Sequence, residues 1–200
     1  SIYGSYVESF GPAFNYDQFN KNPPETAKQY EIGVKSELFD GRLISTIALY
    51  DLTKENIPTP HPTDPTIVLS IGEANSKGIE IDVQGRVSDS LSIMGSYAYT
   101  STEITKDNSG NEGNNLPYVP DHQGSLRVKY DFQNEALSGF SLGGGVYAAT
   151  KRFGDPANSY SDGSYARLDL FGAYRMQLAK SVMTAQLNIN NVTDAEYYNL

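Results

Sequence analysis

In GIEIDVQGRV, residues 78–87, Ile79, Ile81, Val83 and Val87 share one parity while Glu80, Asp82, Gln84 and Arg86 share the other. Side chains of an extended chain point alternately to opposite faces, so this pattern predicts a strand that is apolar on one side and charged on the other. The same period of two recurs along the whole chain, and no segment of helical length keeps an apolar stripe at i, i+3 and i+4. It predicts nine strands, over residues 1–10, 28–39, 42–52, 76–87, 91–105, 122–132, 140–149, 165–177 and 181–190. Most exceed the five or six residues usual in globular sheets. They match the roughly 9 to 11 that a tilted strand needs to cross a bilayer.

The predicted connections alternate in length. Asp40-Gly41, a dipeptide suited to a two-residue hairpin turn with φ > 0, is short, as are 88–90, 133–139 and 178–180. Residues 11–27, 53–75, 106–117 and 150–164 are long. In an up-and-down antiparallel arrangement all short turns then fall at one end and all long loops at the other, the asymmetry of outer-membrane barrels. A propeller blade would need four strands in each interval of about 45 residues, and the pattern supplies two longer ones.

The faces can be compared strand by strand. Tyr30, Ile32, Val34 and Leu38 on one strand, Leu126, Val128, Tyr130 and Phe132 on another, and Leu168, Leu170, Tyr174 and Met176 on a third belong to parities without a charge. The opposite parities hold Glu31, Lys35, Glu37, Arg127, Lys129, Asp131, Arg167, Asp169 and Arg175. A charge facing lipid at the midplane costs on the order of 2 to 4 kcal/mol for Arg or Lys, which is a reason for its absence. A soluble β-sandwich or closed soluble barrel shows the same alternation. It does not account for the strand length, for the one-sided loops, or for Tyr50, Tyr99, Tyr130, Tyr165 and Tyr174 near strand ends, where an aromatic girdle is expected. Residues 42–52 and 140–149 fit either facing. The fold expected is all-β, an antiparallel up-and-down transmembrane β-barrel.

Composition narrows the function classes. The 200 residues hold 38% apolar side chains at a mean hydropathy of -0.45, with no apolar run long enough for a membrane-spanning helix. A net charge of -9 argues against a nucleic-acid partner held through phosphates. Zero cysteines exclude disulfides and thiolate metal sites. Fifteen tyrosines and eight phenylalanines without tryptophan suit surfaces where a ring is apolar at one end and wet at the other. The chain begins at Ser1 without methionine or signal peptide, which suggests processing or a piece of a longer protein.

KQYEIGVKSELFDGRLISTIALYDLTKENI, EANSKGIEIDVQGRVSDSLSIMGSYAYT, LPYVPDHQGSLRVKYDF, SYARLDLFGAYR and LNINNVTDAEYYN, in this order and spacing, resemble the C-terminal barrel portion of TonB-dependent outer-membrane receptors of the ferric-siderophore type. The resemblance covers nearly all of the chain. It implies residence in the outer membrane of a Gram-negative bacterium and a 22-stranded barrel filled by an N-terminal plug, of which residues 1–200 would be the C-terminal part. The plug, the early strands and the final strand would lie outside this sequence. It also implies import of a ferric siderophore driven through the TonB complex, with iron carried as the chelate and no resident cofactor, metal or enzymatic activity. A passive porin, a TonB-dependent receptor for another cargo such as cobalamin, and a soluble β-rich binding module remain alternatives.

Such receptors hold a chelate whose iron is already fully ligated, so they need shape, stacking surface and cations. Candidates among the loop residues are Phe14, Tyr16, Phe19, Lys54, Tyr118, Arg152, Phe153 and Tyr160. Arg86, Arg127, Arg167 and Arg175 are expected to face the lumen and to meet acidic partners on the plug or the wall. SDG at 161–163 stands where relatives tend to carry an apolar residue and proline, so the shape of that loop is open. DNSGNEGNN, 107–115, resembles a calcium loop, but Glu112 stands where an EF-hand needs glycine and Tyr118 where it needs the bidentate glutamate. His61 lies in a proline-stiffened run, and Asp121 and His122 would point to opposite sides of a strand, which rules out a triad.

Overall fold

The computed structural model describes residues 1–12, 22–61, 63, 64 and 67–197. The strands are β1 (Ile2–Phe10), β2 (Thr26–Leu38), β3 (Leu43–Pro60), β4 (Val68–Arg86), β5 (Leu91–Lys106), β6 (His122–Asp131), β7 (Phe140–Ala149), β8 (Arg152–Phe153), β9 (Ser161–Asp162), β10 (Tyr165–Leu178) and β11 (Ser181–Ile189). All but β8 and β9 form one sheet in the order β1-β2-β3-β4-β5-β6-β7-β10-β11, with every neighbour antiparallel.

The register decides whether the nine parities share a face, since a slip of one residue would turn a strand over. One row across the ladder reads Ser45, Val83, Gly95, Leu126, Val146, Leu168. The next reads Lys35, Thr46, Asp82, Ser96, Ser125, Tyr147, Arg167. Apolar thus meets apolar and polar meets polar across the sheet, and the ladder assigns β3 and β7, whose patterns fit either facing.

No second layer covers the apolar face. Among the described residues the buried hydrophobic ones are limited to Leu43, Ala48, Ala74, Ile104 and Ala149, and no large side chain is fully buried. Ile32 is 57% exposed, Leu126 45% and Leu187 68%. An uninterrupted apolar face of this extent has no place in a water-soluble monomer. The charged face is the concave one: an open hollow of about 1120 Å³ is lined by Arg86, Arg127, Asp169, Arg175, Gln186 and their neighbours. A curved single sheet, apolar outside and polar within, is a segment of a membrane barrel wall.

Aromatic rings mark both borders of the apolar band. Toward the short turns stand Tyr130 against Phe132 (centroids 5.1 Å apart) and Phe140 against Tyr174 (4.4 Å). Toward the other end Tyr6 meets Tyr30 (4.8 Å), and Tyr97 and Tyr99 flank His122 at 6.2 and 4.9 Å. From Tyr130 to His122 the strand climbs eight residues, about 26 Å at roughly 3.3 Å each, enough to traverse most of the ~25 Å apolar band of such barrels when tilted. Tyr99, Tyr130 and Tyr174 hold the girdle positions expected of them. Tyr50 and Tyr165 do not: Tyr50 donates to Thr100 Oγ1 (3.1 Å) on the concave side, and Tyr165 stacks there between Tyr147 and Tyr197.

The two ends differ as predicted, with one substantial correction. Asp40 and Gly41 have φ of 56° and 79°, and the Arg42 amide donates to Phe39 O at 3.2 Å, closing the expected turn. Residues 53–75, however, are mostly strand. β3 runs on to Pro60 and β4 begins at Val68, leaving a connection of seven residues at the tip of a projecting hairpin. β2 pairs no further than Thr26 with Glu55, so beyond it β3 has a free edge, where Pro58 and Pro60 are tolerated. The irregular register around Asn56 (φ 61°) starts that overhang.

Candidate functional site

The external end is built from three segments that hold one another. Asn108 Nδ2 donates to Thr59 Oγ1 (3.3 Å) at the hairpin tip, which joins the β5–β6 loop to the β3–β4 overhang. The β5–β6 and β7–β10 loops are tied more firmly. The Tyr118 amide donates to Phe153 O at 2.7 Å, the Asn115 amide donates to Asn158 Oδ1 at 2.9 Å, and Asn158 Nδ2 returns a bond to Asn115 O at 2.9 Å. Asn114 Nδ2 adds one to Pro156 O at 3.0 Å. These asparagines are site residues the sequence reading missed, because an Asn-rich loop looks the same whether its amides meet water or another loop.

Of the predicted ligand-facing residues, Tyr118, Arg152, Phe153 and Tyr160 come together on this double loop. Tyr118 adopts φ 66° and is 49% exposed; Tyr160 is 54% exposed and donates to Gly154 O at 3.0 Å. Partial burial, with the Tyr118 hydroxyl close by, pushes the Tyr160 phenol above its ordinary value. Arg152 and Phe153 form β8, paired to β9, and Arg152 Nε stands 3.7 Å from Asp162 Oδ2. The SDG stretch therefore supplies β9, and its aspartate answers an arginine. Lys54 lies apart, in β3 rather than in a loop, on the concave side and paired with Glu25 at 2.5 Å. Phe14, Tyr16 and Phe19 lie outside the described residues.

Below the loops, the concave wall carries charges of both signs. Glu31, Lys35, Glu80, Asp82 and Arg86 stand on β2 and β4, and Arg127, Lys129, Asp131, Arg167, Asp169 and Arg175 on β6 and β10. Arg86, Arg127 and Arg175 line the hollow. Arg167 belongs to the wall itself: it pairs with Asp169 (3.0 Å) and donates to the Tyr197 hydroxyl (3.1 Å). Tyr197 stacks on Tyr165 at 4.8 Å and 8°, within a segment that folds back after β11, where the Asn191 amide donates to Asp169 Oδ1 (2.8 Å). Tyr147, Tyr165 and Tyr197 were not predicted as a concave aromatic cluster, although the parity of Tyr165, shared with Arg167 and Asp169, was a usable signal.

The other motifs resolve locally. Asp107 Oδ2 accepts from the Ser109 amide (2.7 Å), the Asn111 amide (3.1 Å) and Asn111 Nδ2 (2.9 Å), so the carboxylate of the calcium-like loop folds its own turn. Among the described residues no three His, Cys, Asp or Glu converge on a metal position. His122 meets the Tyr97 hydroxyl through Nδ1 (2.8 Å) on the outer face, and His61 Nδ1 accepts from the Thr63 amide (3.3 Å).

Residues 1–192 match the family described as TonB dependent receptor-like, beta-barrel. The metal-pseudopaline receptor CntO of Pseudomonas aeruginosa is 35% identical over 199 residues, covering 98% of this chain and 28% of that protein. The ferrichrome outer membrane transporter/phage receptor of Escherichia coli K12 is 36% identical over 197 residues, covering 98% and 26%. The crystal structure of the siderophore receptor PiuA from Acinetobacter baumannii superposes with a TM-score of 0.84 at 30% identity, over 96% of this chain and 29% of that one. The chain thus spans less than a third of the length of each.

Proposed function

Because this chain belongs to the TonB-dependent receptor β-barrel family, we propose that it forms part of the wall of a receptor that binds a ferric siderophore at the cell surface and imports it with energy relayed by TonB. The family is one of receptors and transporters of the Gram-negative outer membrane. The observation that carries the reading is the convex face, uncharged between its aromatic borders and in register across the sheet, opposite a charged concave one. Lipid solvates the first, and the second lines a passage that water or a plug can occupy.

In this reading the double loop presents Tyr118, Phe153 and Tyr160 to the chelate, with Arg152 and Lys54 held in place by Asp162 and Glu25. The fully ligated iron is recognised through the ligand's shape and stacking surface. Arg86, Arg127 and Arg175 line the hollow, where they would meet acidic groups on a plug. TonB would act through that plug, and a passive porin would have no plug to move. The test is growth of a strain deleted for the full-length receptor on single ferric chelates as the only iron source. Loss of growth on at least one is expected, and undiminished growth on all of them would overturn the assignment.

A further inference from the structure

Tyr118 and Tyr160 come from different loops, yet one network sets them both. The Tyr160 ring lies over the buried Gly154, where a Cβ would stand 2.1 Å from Tyr160 Cε2 and 2.4 Å from its hydroxyl oxygen. The φ of Gly154 lies outside the left-handed range, so what this glycine supplies is room for the ring. The Gly154 amide donates to Tyr160 O at 3.1 Å, and the Tyr160 hydroxyl donates to Gly154 O at 3.0 Å. Asn158, at φ 54°, then joins this loop to the other by its reciprocal bonds with Asn115, both 2.9 Å. The Tyr118 amide is held at Phe153 O (2.7 Å), and its hydroxyl stands beside the Tyr160 phenol. Both rings are nevertheless about half exposed, at 49% and 54%.

We propose that Gly154 and Asn158 are positioning residues for ligand capture: they hold Tyr118 and Tyr160 as one pre-set pair of rings, so that a chelate meets its stacking surface already assembled. The inference rests on the ferric-chelate reading above and adds how that site is kept ready. Ordering two exposed rings and two loops at the moment of binding would cost affinity, and fixing them beforehand avoids that cost. Only receptor with both rings in place binds at full strength, so displacing either ring lowers the apparent affinity by the fraction displaced.

The experiment is equilibrium binding to the full-length receptor in detergent, with a ferric trihydroxamate, a ferric tricatecholate and a ferric polycarboxylate as probes, the tightest-bound of the three being carried through the variants. Gly154→Ala, whose methyl group evicts the Tyr160 ring, should weaken binding about tenfold, Tyr160→Ala should do so by a similar factor, and the double variant should bind no more weakly than Tyr160→Ala alone. A loss caused by general loosening of the loop would instead persist without the ring. Asn158→Gly keeps the left-handed backbone, removes the tie to Asn115, and should weaken binding about threefold. Full affinity in Gly154→Ala or Asn158→Gly, a Gly154→Ala loss undiminished beside Tyr160→Ala, or abolished binding in Tyr160→Ala alone would overturn the positioning inference and leave the receptor reading standing. If the unaltered receptor binds none of the three chelates, the ferric-chelate reading fails and the inference with it.

Discussion

Leu126 and Arg127 are consecutive in β6 and face different solvents. Leu126 sits in the apolar row between Gly95 and Val146, roughly midway between the rings at His122 and Tyr130, and Arg127 lines the hollow. Leu126→Arg should therefore lower the stability of the full-length receptor by about 2 to 4 kcal/mol, the cost of a cation near the bilayer midplane. Arg127→Leu, on the side that water or a plug occupies, should cost clearly less, about 1 kcal/mol. Urea unfolding in lipid vesicles measures both, and comparable losses would refute the assignment of faces. Ring placement on the concave side follows the same logic at single positions. A Cβ at Gly143 would lie 2.3 Å from the Phe171 ring, and one at Gly78 3.0 Å from the Tyr50 hydroxyl, so each ring fills the space that glycine leaves. Alternation foretold the faces of Leu126 and Arg127. It left Tyr50 ambiguous, because 42–52 fits either facing and only pairing with β2 and β4 orients it.

At the level of elements, the β3–β4 overhang is braced by charges from four neighbouring strands. Glu55 and Glu73 are direct cross-strand partners, a destabilising pair taken alone. Lys28 on β2 reaches Glu55 at 3.2 Å, and Lys106 on β5 reaches Glu73, which also accepts from Thr105 at 2.9 Å. The Lys106 ammonium and the Thr105 hydroxyl hold the Glu73 carboxyl below its ordinary 4.5, and the carboxylates in turn raise Lys28 and Lys106. A depressed carboxyl stabilises the fold above its unfolded value, and that contribution fades as pH falls through the lower folded one. The raised lysines contribute fully below 10.5 and lose their contribution only in more alkaline solution. Hydrogen exchange in β3 and β4 above Glu55 should accordingly quicken as pH drops below about 4.5, once corrected for intrinsic rates, while the lipid-embedded β6 and β7 stay protected. Unchanged protection of the overhang would show the brace to be idle. The loop tie is open to a similar test: Asn158→Ala removes the acceptor of the Asn115 amide, so that amide should exchange faster without a change in β7 or β10. Neither brace nor tie was legible beforehand. The run NIPTP, residues 56–60, has turn chemistry, which strand pairing overrode.

For the whole molecule, the sheet has two ends that do not meet: β1 pairs only with β2, and β11 only with β10. Unpaired backbone groups of such edges are not tolerated in hydrocarbon. The 200 residues expressed and refolded alone should therefore give aggregate or heterogeneous oligomer on a semi-native gel, whereas the full-length receptor should migrate as a compact, heat-modifiable monomer. A discrete inserted monomer of the 200-residue chain would contradict this account.

The nine strands of the wall, the apolar and charged parities, the asymmetry of the ends and the family resemblance were all present in the linear pattern, because a period of two is a local property that each strand carries by itself. Which faces coincide, how far β3 and β4 project, which loops bind each other and which arginine already has a partner depended on register and curvature. Those are relations between residues tens of positions apart, set by cross-strand pairing in three dimensions, and no short-range periodicity encodes them.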